Sequence, residues 1–271
     1  MVRGQAGPKV VAKSVGMSFA WEELALQVAA KFGPRPIGIP CPTALFVLEF
    51  GKAHVAVVQV ADAVPHAGGF VPLQFRFLIF TKRTYDLLGD PFALSDRYPA
   101  NWSAAGELAV LEWPEEYLPK RRVEDVLALL KAGDMPWLLG AAQALLDGGS
   151  LLWIADAPQN EVFRNLWQLL PERTRCDLRP ATFAFAGELG FNVWAMPKAP
   201  EPWPERTLSV DQARDYPEGR YELALQVAAE GGNQADLDRL FARPSGKETL
   251  RLAASLVAFA VIVALIGKFL L

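Results

Sequence analysis

Histidine and cysteine, on which most nucleophilic and metal chemistry depends, are almost missing: the 271-residue chain has two of each. Cys41 and Cys176 lie 135 positions apart, so the spacing implies no disulfide framework. Together with His54 and His66 they do not make a zinc site by spacing either. No P-loop, GxGxxG, HExxH or GxSxG segment occurs. The sequence therefore points to no cofactor and no metal. A concentrated basic stripe is also lacking: the net charge is −3 and the Lys and Arg residues are scattered, which excludes the usual footprint of a nucleic-acid partner. The first residues, "MVRGQAGPKVVAKSVGMSF", hold no apolar run of secretory length, so no signal peptide is expected.

What is present is apolar. Hydrophobic residues make up 52% of the chain and charged ones 21%, a globular balance with room for one large core, and eight Trp and sixteen Phe supply bulky wedges for it. The chain ends "RLAASLVAFAVIVALIGKFLL", in which residues 252–267 carry no charge. At about 1.5 Å rise per residue, residues 250–271 reach across a hydrocarbon core of about 30 Å. Arg239, Arg243, Lys247 and Arg251 precede the run and Lys268 follows it, so the positive-inside tendency keeps the N-terminal bulk in the cytoplasm. The expectation is a single-pass tail anchor in a lipid bilayer. A buried core helix is the alternative, because sixteen residues is shorter than the usual span of about twenty. Ala253, Val257, Ala260, Ala264 and Gly267 follow one another at steps of 4, 3, 4 and 3, a small-residue stripe that permits close helix approach in lipid and a homo-oligomer. The abundance of Ala explains the stripe equally well.

Ahead of the tail the pattern predicts an α+β domain over 1–196 built on a mixed, largely antiparallel sheet. Strands are expected at 44–50 and 53–60 about a turn at Gly51 and Lys52, then at 73–81, 106–114 and 150–156, with "ATFAFA" and "FNVWAMP" pairing across "GELG". Helices are expected at 21–32, in "VEDVLALLKAG", in "PWLLGAAQALLDGG" and in "QNEVFRNLWQLLPE". Residues 197–217, with four prolines in "PKAPEPWPE", read as a linker. Residues 218–243 read as a helical hairpin turning at Gly231 and Gly232 and capped by Asn233, like the helix pair of one ankyrin repeat. The octapeptide "ELALQVAA" occurs twice, at 23–30 and 222–229.

The sharpest catalytic idea is a thiol hydrolase, with Cys41 as nucleophile, His54 as base and Asp62 as orienter, brought together if the 44–60 hairpin returns toward Cys41. Against it, Cys41 lies between two prolines with no helix N-terminus or cation nearby in sequence, which fits a buried structural thiol. Asp156, at the carboxyl end of a central strand, is either a ligand group or the cap of the following helix in a capping box with Gln159. Glu115 and Glu116, and the "KRR" at 120–122, read as solvated charges.

The elements "FRFLIFTKRTYDLLGDPFAL", "LLWIAD" and "FRNLWQLLPERTRCDLRPATFAF" followed by "FNVWAMP" resemble the N-terminal domain of the bacterial GTPase-associated protein 1 family over residues 73–196. The resemblance implies a component of a bacterial conflict or defence system working beside a GTPase, and it carries no active-site assignment. The hairpin and tail are not part of that pattern. Three functions remain open at this point. The first is a tail-anchored adaptor that presents a cytosolic recognition domain to a soluble or membrane protein. The second is a membrane-active effector oligomerising through its tail, and the third is the Cys41 hydrolase.

Overall fold

The computed structural model describes residues 1–4, 7–64, 71–113, 120–132, 135–244 and 246–270, and side chains at all of these except 2–4, 135, 246–248, 261 and 263–270. The chain opens with three short strands, β1 (Val2–Gly4), β2 (Gly7–Lys9) and β3 (Ala12–Ser14). Helix α1 (Phe19–Lys31) follows, its first turn capped by the Ser18 hydroxyl, which accepts from the Trp21 amide. Gly33 adopts φ 96°, and a methyl there would meet Ala186 Cβ and the Phe185 carbonyl carbon at 2.8 Å, so only glycine lets the chain turn so close to residues 185 and 186.

Next comes the meander β4 (Ala44–Phe50), β5 (His54–Asp62) and β6 (Leu73–Thr81), antiparallel throughout, with Gly51 at φ 71° in the first turn. These strands match the expected ones almost residue for residue. β4 and β5 are apolar along nearly their whole length rather than alternating, because both faces of the sheet are covered. α1 covers one face, where Phe32 stacks on Phe46 and meets Phe75 edge-on, each at 5.4 Å between ring centroids. On the other face lie α2 (Lys82–Leu88), capped by Thr81, and α3 (Pro91–Arg97), capped by Asp90. The second carboxylate oxygen of Asp90 takes a buried ion pair from Arg175 at 3.2 Å.

The expected strand at 106–114 shrinks to β7 (Gly106–Leu108), paired in parallel with β3 in a separate two-stranded sheet. Its apolar residues fall on both faces (Leu108 and Val110 on one, Leu111 and Trp113 on the other), so no single face drives it into a core. α4 (Val123–Lys131) and α5 (Met135–Leu146) lead into β8 (Ser150–Ile154), and α6 (Asn160–Leu169) and α7 (Glu172–Asp177) follow it. β9 (Pro180–Ala181) and β10 (Val193–Met196) run parallel to each other, not as the expected hairpin. β10 is buried along its length and sits between β8 and β9, where a parallel strand pairs on both sides.

Residues 197–217, expected as a linker, supply β11 (Thr207–Leu208), which pairs with β8, and α8 (Val210–Arg214), which packs on α5. The prolines stop helix and strand locally, yet they leave the chain free to pack on either side of them. The main sheet thus has nine strands in the order β11-β8-β10-β9-β4-β5-β6-β1-β2, parallel in its first four and antiparallel across the rest: a mixed α+β sheet.

α9 (Arg220–Glu230) and α10 (Gln234–Phe241) pack on each other and on the body: Tyr221, Leu225, Ala228, Leu237 and Phe241 belong to the same apolar cluster as the sheet. The repeated octapeptide sits in α1 and α9 but buries different faces. Ala25, Val28 and Ala29 are buried in the first copy, Leu225, Ala228 and Ala229 in the second, a shift of one position or about 100° of helix rotation. Small and aliphatic residues are spread around this helix, so tertiary packing chooses the face. α11 (Gly246–Leu270) closes the described chain as one helix. Among the described residues, no helix is long and apolar enough to cross a membrane.

Gly140 of α5 tests the seating of α8, since a methyl there would stand 2.0 Å from the Ala213 carbonyl oxygen. Gly140→Ala is expected to lower stability by about 1–3 kcal/mol in urea unfolding, as overpacking does elsewhere. An unchanged midpoint would mean that α8 is not packed as described.

Candidate functional site

The structure brings two of the three expected catalytic residues together and holds the third away. Cys41 is fully buried, its amide donates to the Asp62 carboxylate at 3.0 Å, and its carbonyl accepts from the Asp62 amide at 2.8 Å. Asp62 also pairs with Arg35 at 2.8 Å, and the Arg35 guanidinium donates to the carbonyls of Ile39 and Val71. This is a tie that fixes the loop ahead of β4. Burial, reinforced by the Asp62 charge, pushes the Cys41 thiol up to about 12. His54 starts β5 and Asp62 ends it, about 26 Å apart at the usual strand rise. Its ring packs edge-on against Trp21 at 4.8 Å. No thiol–imidazole pair forms, because the hairpin carries His54 to the far end of the sheet instead of back to the cysteine.

Asp156 is exposed beyond β8, and α6 begins at Gln159 without a side-chain cap, so the expected capping box does not form. His66, Glu115 and Glu116 lie outside the described residues. Of the basic run, Lys120 pairs with Asp238 at 3.3 Å and Arg122 reaches Glu124 and Asp125 at 3.5 Å. Arg121 departs from the expected solvated charge. It donates to the carbonyls of Gln168 and Leu170 at 2.9 and 2.5 Å and lies 3.3 Å above the Phe241 ring. It therefore clamps the end of α6 to α10, and burial, with Arg175 close by, pulls its guanidinium down to about 9. Among the described residues no group of three or more His, Cys, Asp or Glu could hold a metal.

The arrangement that remains is a cleft of about 490 Å³ between the outer edge of β6 and the small β3–β7 sheet, with Trp21 of α1 in its wall. Phe75, Ile79, Leu108 and Trp113 make its lining largely apolar. Trp113 packs at a tilt on Phe80 at 3.9 Å and meets Tyr98 edge-on at 5.1 Å, which anchors the end of the loop that carries β7. Much of the rest of that loop is exposed, and Val15, Leu108, Val110 and Leu111 form an apolar rim. Arg76 is one of the charges in the wall. It donates to Gln59 Oε1 at 3.0 Å and to the Tyr98 carbonyl, and burial lowers its pKa. Gln59 is itself fixed by the Ser95 hydroxyl at 2.6 Å. A sequence signal for the cleft does exist, an arginine amid the apolar "LQFRFLIFT", but the open edge beside it depends on which strands become neighbours.

No family model, no curated protein and no solved structure matches the chain. The resemblance of residues 73–196 therefore rests on the quoted segments alone.

Cys41 is buried and Cys176 half-buried, which has a chemical consequence. Burial, with Asp86 adding to it, also pushes Cys176 up to about 12. At pH 8 a thiol with that pKa is ionised to about one part in ten thousand, so neither cysteine should react with Ellman's reagent until the chain is unfolded. Relative to the ordinary value of 9.0, their protonated burial stabilises fully below about pH 9, and the contribution is lost as pH rises toward 12. Rapid modification of Cys41 in the folded chain would restore the catalytic reading.

Proposed function

We propose that the chain is a membrane-tethered interaction protein: the α+β body recognises a partner protein, and the C-terminal helix holds that body at the cytoplasmic face of a lipid bilayer. One observation carries the reading. Along α11 the side chains of Leu252, Leu256, Phe259 and Ile262 are 54–66% exposed, so the body does not cover them. A core helix buries such residues, and leaving each in water forgoes about 1.5–3 kcal/mol of burial. Lipid is the occupant that suits an uncharged run of sixteen residues preceded by Arg239, Arg243, Lys247 and Arg251. The remainder of the run, including Ala264 and Gly267, has side chains outside the described residues. Ala253, Val257 and Ala260 are exposed, and pairing of two tails through that stripe is a further part of the proposal.

Recognition belongs to the apolar cleft beside β6, and the resemblance over 73–196 makes a GTPase of a bacterial defence system the first partner to test. Fractionation of cells expressing the full chain, or the chain truncated after Arg243, tests the tether. The full chain is expected in the membrane pellet after carbonate extraction, and the truncated one in the supernatant. A full chain found in the supernatant would overturn the anchor.

A further inference from the structure

We propose that the cleft beside β6 is a strand-addition site, taking one extended segment of a partner polypeptide that pairs with the backbone of Phe77 and Ile79 and presents a carboxylate to Arg76. The proposal deepens the interaction-protein reading and rests on it.

The phase of the β5–β6 ladder carries the argument. Lys82 N–H donates to the Ala53 carbonyl at 2.9 Å, which makes 53 and 82 a hydrogen-bonded pair. By alternation, Phe80, Leu78 and Arg76 exchange both bonds with Val55, Val57 and Gln59. Phe75, Phe77 and Ile79 then turn their N–H and C=O groups away from β5. At Phe75 both are met: its N–H donates to the Met1 carbonyl at 2.8 Å, and the Met1 amino group donates to its carbonyl at 2.8 Å. The β1 register continues through Gln74 and Leu73, away from Phe77. Among the described residues, Phe77 and Ile79 have no backbone partner on that side.

Unpaired edges are hazards that proteins usually blunt with lysine, proline or a bulge. The stretch Phe77, Leu78, Ile79 and Phe80 has neither lysine nor proline, and the edge opens into the apolar cleft instead of bulk water. A donor and an acceptor at every second residue is the pattern that another strand satisfies, with affinity from the main chain and selectivity from alternate side chains. The charge comes from complementarity. Among the described residues, Arg76 is bonded only to neutral acceptors, the Gln59 amide and the Tyr98 carbonyl. Of the other cations in the lining, Lys13 is committed to Glu22 and the Met1 ammonium donates to the Phe75 carbonyl. On the Arg76 side of the added strand, one position therefore takes Asp or Glu, and the positions two and four residues on, facing Leu78 and then Phe80 with Trp113, take apolar side chains.

The test uses the full chain in lipid nanodiscs and a displayed library of random octapeptides. Enriched peptides should alternate, with an acid at one fixed position. A synthetic copy of one should slow amide exchange at Phe77 and Ile79 at least tenfold. Ile79→Pro removes an outward N–H and none that bonds to β5, so the variant should fold and lose binding at least tenfold. Arg76→Gln keeps a neutral donor in place; it should weaken the acidic peptide about tenfold and leave its Asn or Gln analogue unaffected. This second variant keeps the proposal testable if the proline disturbs the strand. Enrichment without alternation, binding that leaves Phe77 and Ile79 unprotected, or a folded Ile79→Pro chain that binds normally would each overturn strand addition. If peptides fail while the full chain and Ile79→Pro retrieve the same partner from membranes, strand addition is wrong and the tethered-adaptor reading stands. If peptides bind as described but the chain is not membrane-bound, the tether falls and strand addition stands.

Discussion

Strand β5 is buried on both faces from Val55 to Ala61, and this constraint organises the rest of the body. A strand without a wet face must have neighbours on both edges and layers above and below. β4 and β6 supply the edges in ladders that run its full length. α1 supplies one layer, through Phe32 and Trp21, and α2 and α3 lie on the other side, where Tyr85 meets Phe80. The one polar side chain buried in β5, Gln59, cannot be left unpaired in such a place. It is held between the Ser95 hydroxyl and the Arg76 guanidinium, and this pairing turns Arg76 into the wall of the cleft.

The two halves of the sheet answer different needs. On the β4 side the chain continues into short parallel strands, β9, β10 and β8, covered by helices and closed by β11. The apolar cluster runs on without a break from these strands into α9 and α10. On the β6 side, β1 pairs only near Leu73 and Gln74, and the β3–β7 sheet stands apart. Strand β6 is thus paired with β5 along its whole length and, among the described residues, open on its other side at Phe77 and Ile79. Further uncovered apolar side chains line α11, among them Leu252, Leu256 and Phe259.

The sequence made some of this legible and hid the rest for identifiable reasons. β4, β5 and β6 are long, apolar and punctuated by Gly51, so periodicity and turn chemistry agree on them. Residues 106–114 carry strand-forming residues on both faces, and without a preferred face only Gly106–Leu108 pair among the described residues. Residues 197–217 were misleading because proline forbids local structure but says nothing about packing; Ala213 still nests against Gly140. The octapeptide "ELALQVAA" makes the same point, since Val28 is buried and its counterpart Val227 is exposed. For the site, the proximity of Cys41 and Asp62 follows from the hairpin, whereas His54 is lost because a straight strand separates its ends. Arg121 looks solvated within "KRR", and only the tertiary fold supplies the carbonyls of Gln168 and Leu170 that receive it. The edge of β6 belongs to no residue pattern at all: it follows from how far β1 pairs.

The central claim is that this edge is open while the ladder behind it is closed. Residue-resolved hydrogen exchange on the uncomplexed full chain in nanodiscs tests it directly, because adjacent amides of one strand then differ only in the side to which they point. The account predicts that Phe77 and Ile79 exchange about a hundredfold or more faster than Leu78 and Phe80, whose amides bond to β5. Equal, slow exchange at all four would mean that the edge is already paired, and would contradict it.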